Sequence, residues 1–114
     1  MPHEFILEYL RTADIIVRKM FGNHAIYIGH KIYLATRKND DNPDDDGIWI
    51  STSLKHHESL QSQFPDLINL KAMNVNKWLL LPVDATSFKE TAIQLCGLIN
   101  EGDERIGVEV RRRG

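Results

Sequence analysis

The chain has 114 residues and a mass of 13.1 kDa, one domain of ordinary size, able to bury roughly two-thirds of its unfolded surface. With 42% apolar and 26% charged residues it is neither disordered nor a fibrous repeat. Fourteen Lys and Arg against sixteen Asp and Glu give a net charge of −2, which argues against a nucleic-acid backbone as the main partner and leaves only a local basic patch.

The first organised segment runs from Glu4 to Met20. Ile6, Leu10, Ala13, Val17 and Met20 recur at spacings of three and four, which predicts one amphipathic helix ended by Gly22-Asn23. The period then changes. Ala25–Ile28 and Lys31–Thr36 are rich in β-branched and aromatic residues and are split by Gly29-His30, the signature of a tight hairpin. A polar loop, residues 37–47, carries five Asp, and Ile48–Ser51 reads as a third strand.

Thr52 or Ser53 is placed to cap a second helix, Leu54–Gln63, which Pro65 ends. Leu67–Met73 and Lys77–Val83 read as two further strands. Ser87-Phe88-Lys89-Glu90 matches a capping box and opens a third helix, closed by Gly102. The expected fold is α+β in two layers. An antiparallel five-stranded sheet is packed by helices, in the order α-β-β-β-α-β-β-α. Ile6, Leu10, Val17, Met20, Ile26, Ile32, Leu34, Ile50, Leu79, Leu81, Phe88, Ala92, Leu95 and Ile99 are the expected core.

Little in this inventory favours catalysis. Setting Gly47 at the sixth position of a calcium loop puts Ser53 where a bidentate Glu is needed, so a mobile, solvated loop with weak calcium affinity is expected. Adjacent His56 and His57 diverge by about 100° on a helix and cannot share a metal. Ser51, Thr52 and Ser53 ahead of His56 and His57 look superficially like a Ser–His pair, but capping explains the hydroxyls. Cys96 lies beside a helical apolar stripe, where a thiol is inert core. No cofactor or metal is expected, and no catalytic residue is assigned.

Arg18-Lys19-Met20-Phe21-Gly22 precedes the hairpin Ala25–Ala35. Gly47-Ile48-Trp49-Ile50, Trp78–Pro82 and Gly102–Gly107 follow. This succession resembles the amino-terminal domain of the TfoX competence regulators, related in fold to YjbR-like proteins. The resemblance covers about residues 4–107; Asn23 replaces the family's usual second Gly, and no counterpart of the family's carboxy-terminal domain is expected. It implies a single TfoX N-terminal-like domain over residues 1–107, a basic tail over 108–114, and a non-enzymatic regulatory or protein-interaction role in a bacterial cytoplasm. Candidate interaction residues are Arg18, Lys19, Phe21, Gly22, Arg111, Arg112 and Arg113.

The alternative is a nucleic-acid-binding accessory protein using Arg18, Lys19 and the Arg111–Arg113 tail in a weak, salt-sensitive contact. A lone Cys suits a reducing compartment. No signal peptide is expected, and apolar runs such as Trp78–Leu81 are too short to span a bilayer, so no membrane contact is expected either. The partner is an unknown protein. Unblocked strand edges, at Ile26–Ile28 or at Leu67–Met73, favour a homodimer.

Overall fold

The computed structural model describes residues 1–20, 22–71 and 76–110. It is α+β, built on an antiparallel sheet. The strands are β1 (Ile15–Met20), β2 (Asn23–Ile28), β3 (Lys31–Arg37), β4 (Gly47–Ser51), β5 (Ile68–Asn69), β6 (Trp78–Pro82) and β7 (Val108–Glu109). They lie in the order β1-β2-β3-β4-β6-β5, and β7 pairs with β3. Two α-helices, α1 (Leu54–Gln63) and α2 (Phe88–Asn100), join 3-10 helices at Glu4–Tyr9 and Pro43–Asp45. The sheet thus has seven described strands where five were expected.

The main correction is at the start. Glu4–Met20 is not one helix but a 3-10 helix followed by β1. The run Ile15-Ile16-Val17 is β-branched throughout, and its χ1 stiffness favours a pleated strand over a helix. Asn100, at the end of α2, redirects the chain: its Oδ1 accepts from the Arg11 N–H at 2.8 Å and its Nδ2 donates to the Tyr9 carbonyl at 2.7 Å. Helix continuation is thereby blocked at Leu10, which is extended. Gly22 sits not at a helix exit but between β1 and β2, with φ of 81°.

The expected order α-β-β-β-α-β-β-α also omits β7. Val108 and Glu109, expected in the basic tail, pair with Ile32 and Lys31, and the Val110 N–H donates to the His30 carbonyl at 2.9 Å. Of the expected strand Leu67–Met73, only Ile68–Asn69 is strand, and residues 72 and 73 lie outside the described residues. Neither Ser53 nor Ser87 makes a capping hydrogen bond. The Thr52 hydroxyl instead donates to the Arg105 carbonyl at 2.6 Å, and Arg105 reaches Ser59 and Gln63 on α1.

The main core lies between one sheet face and the helices. Ile26, Leu34, Ile48, Ile50, Leu79 and Leu81 meet Leu60, Phe64, Ala92, Leu95, Cys96 and Ile99, with Ile6 and Leu10 closing one side. The other face carries a smaller cluster of Ala25, Ile32, Ala35, Leu70, Trp78 and Leu80. Burial on both faces explains why Trp78–Leu81 reads as an unbroken apolar run rather than an alternation. Three expected core residues differ: Val17 is exposed, and Met20 and Phe88 are only half-buried.

The acidic loop holds structure of its own. Asp45 and Asp46 are buried. Asp46 Oδ1 accepts from Arg37 Nη1 at 2.8 Å and from the Asn39 N–H at 2.9 Å, while Asp45 Oδ1 accepts from the Lys71 N–H at 2.9 Å. Removing the carboxylate as Asp46→Ala leaves the largely covered Arg37 guanidinium with the Asn42 carbonyl but no counter-charge, and frees the Asn39 backbone donor. The expected cost is about 2–3 kcal/mol, read from the urea midpoint.

Candidate interaction surface

β1 is the outer strand of the sheet. Its six residues pair with β2 without a bulge, from Ile15 opposite Ile28 to Met20 opposite Asn23, and its other edge has no strand beside it among the described residues. Side chains alternate about the sheet plane. Ile16, Arg18 and Met20 share the face of Ala25 and Tyr27, while Ile15, Val17 and Lys19 share the face of His24 and Ile26. Ile16 is 47% exposed and Val17 38%, so β1 presents apolar surface to solvent on both faces.

Arg18 lies over the Tyr27 ring, its guanidinium carbon 5.9 Å from the centroid, within cation–π range. Together with Ile16, Gly29, His30 and Val110 they line a shallow cleft of about 170 Å³. The structure therefore brings Arg18 beside the residue that precedes the three arginines in sequence. It also separates Arg18 from Lys19, which sits on the opposite face. Phe21 and Arg111–Arg113 lie outside the described residues, and Gly22 is an exposed turn residue. As a strand aromatic Tyr27 could stack a base in principle, although alternation within strands favours a core role for most such residues; it is half-buried, beneath Arg18.

The other candidate groups take up different positions. Cys96 is buried, its thiol donating to the Ile6 carbonyl at 3.7 Å, and burial pushes its pKa up to about 12. That keeps it a thiol at neutral pH. His57 is buried with no hydrogen-bond partner for Nε2, and it lies beside Leu54, Glu58, Gln61 and Asn69 in an open groove. The His24 Nδ1 and Thr36 Oγ1 are likewise unpartnered, on residues opposed across β2 and β3. Among the described residues no three His, Cys, Asp or Glu converge as a metal site, and no helix is long and apolar enough to cross a membrane.

Two histidines give the fold an acid limit. Burial, then the neighbouring His56, hold His57 below the ordinary histidine pKa of 6.5. Burial also holds His3 low, with Asp46 opposing and Lys38 adding to the effect. The unfolded chain then binds protons first as pH falls. Stability is full above pH 6.5 and declines as pH drops through 6.5 toward the depressed folded values. Asp103, depressed mainly by its hydrogen bond from Arg105, adds its loss only below its ordinary pKa of 3.8. Urea midpoints should therefore be lower at pH 5 than at pH 7.5. His57→Gln should flatten that difference, and an equal midpoint at both pH values in the unaltered chain contradicts it.

Comparison with family models, with curated proteins and with solved structures finds no match to this chain.

Proposed function

We propose that this chain is a non-enzymatic regulatory module of the cytoplasm that works by binding protein, as its resemblance to the TfoX amino-terminal domain implies. The observation that carries this reading is β1, an unbroken edge strand with apolar side chains exposed on both faces. Such an edge is a ready template for another strand, because its outward N–H and C=O groups seek partners. A role without catalysis fits the buried thiol of Cys96 and the Thr52 hydroxyl already engaged with Arg105.

The test is a pull-down from cells of the source organism with the unaltered chain and with Val17→Pro. Proline at an edge removes a donor while the strand's inner pairing stays. A partner retained only by the unaltered chain supports the reading. Identical capture by both chains overturns it, as does a turnover activity that His57→Ala abolishes.

One observation favours a second reading, a nucleic-acid-binding accessory. Arg18 lies over Tyr27 at cation–π range beside Val110, after which the sequence continues Arg111-Arg112-Arg113. A fluorescence titration with single-stranded DNA at about 50 and 200 mM salt separates the two. Nucleic-acid binding gives a steep salt dependence that Arg18→Ala makes shallower by about one unit of log–log slope. No binding at the lower salt removes this reading.

A further inference from the structure

The geometry points to a second copy of this chain as the occupant of the β1 edge, paired antiparallel about a two-fold axis at Val17. This rests on the interaction-module reading and names its partner. The strand at the other end of the sheet, β5, has only two residues and offers little edge. β1 has six, with neither proline nor bulge to blunt it.

The register follows from alternation and charge. Met20 and Asn23 close the hairpin around two residues. A closing pair of that kind exchanges both hydrogen bonds, so Met20, Arg18 and Ile16 bond inward, while Lys19, Val17 and Ile15 turn their N–H and C=O outward. Side chains opposed across an antiparallel pair lie on one face, so a two-fold partner must match odd with odd and even with even. Two registers then use most of the strand. One sets Arg18 opposite Arg18, and like charges directly opposed are destabilising. The other sets Val17 opposite Val17, Ile15 opposite Lys19 and Ile16 opposite Arg18.

In this second register each cation lies against an aliphatic side chain and none against another cation. A further shift, centring Ile16, pairs only Ile15–Val17 within the strand. The exposed Ile16 and Val17 are the residues that the favoured register covers. Arg18 offers its aliphatic stem to the partner's Ile16 while its guanidinium stays over Tyr27. The same six residues thus supply both halves of a complementary edge, which is why the occupant is a copy rather than a foreign strand.

The experiment is light scattering coupled to size exclusion at tens of micromolar, with disulfide trapping beside it. The unaltered chain should run at twice 13.1 kDa, and Val17→Pro or, should that variant not fold, Val17→Lys should halve the mass. Cys96 is buried, so single cysteines at Ile16, Val17 and Arg18 report without interference. Only Val17→Cys should trap a dimer under mild oxidation, its Cα pair lying about 5.5 Å apart, within disulfide reach. Trapping at position 16 or 18 but not 17 overturns the register. A doubled mass that both Val17 variants leave intact overturns the edge, and a 13.1 kDa monomer throughout overturns the dimer. In that last case a foreign protein captured through Val17 leaves the interaction module standing, so the two failures are distinct.

Discussion

Gly47→Ala is expected to cost more than about 4 kcal/mol, a large fraction of the stability of a domain this size. Gly47 opens β4 opposite Pro82, at φ of 143°, a conformation that side-chain-bearing residues rarely adopt. A Cβ there falls 2.1 Å from the Leu81 carbonyl oxygen and 3.0 Å from the Val83 nitrogen. Both neighbours are backbone, so no rotamer change can make room. The strands must part, and the adjoining bond from the Val83 N–H to the Asp46 carbonyl, 3.1 Å long, goes with them. Urea unfolding followed by tryptophan fluorescence reads the result. A loss under about 1.5 kcal/mol means that the close approach of β4 and β6 is not needed.

Leu95→Ala should cost about 2–5 kcal/mol, and Leu10→Ala somewhat less within that range. Leu95 is 1% exposed, in the middle of the α2 stripe that meets the sheet. Alanine is the better helix former, so any loss there is a loss of packing. Leu10 is 6% exposed, at the extended residue where the N-terminal 3-10 helix ends, and its surroundings can close in partly. Leu54→Ala is the control. Leu54 is 61% exposed at the start of α1, away from β1, and should change stability by no more than about 0.5 kcal/mol. Less than 1 kcal/mol lost at both Leu95 and Leu10 breaks the packing of helices on this sheet.

The elements legible in the sequence are those whose signals are local. Lys31–Arg37, Gly47–Ser51 and Leu54–Gln63 lie where β-branched runs, a hairpin glycine and Pro65 put them. β1 was not legible, because Ile6, Leu10, Val17 and Met20 keep helical spacing across a segment that contains two different elements. What separates them is Asn100, far away in the chain, and no local pattern reports a tertiary hydrogen bond. The same holds for β7, too short to carry a period, and for Asp45 and Asp46, whose burial depends on Arg37, Asn39 and Lys71. Charge marked Arg18 as a candidate. Its place on a free edge and over Tyr27 emerged only from strand pairing.

The pairing of β7 with β3 sets a timetable for synthesis. β3 is made early, but its Lys31–Ile32 end has no neighbour on the β4 side until the chain beyond α2 has left the ribosome. Ile106, 2% exposed in the finished fold, fills its place at the same late stage, with Arg105 fastening α1 to the same turn. A nascent chain halted after α2 therefore holds an apolar gap and a half-paired central strand, the kind of surface that chaperones bind and that aggregates. Pauses in translation after Gly102 should be more hazardous to this protein than pauses within the meander.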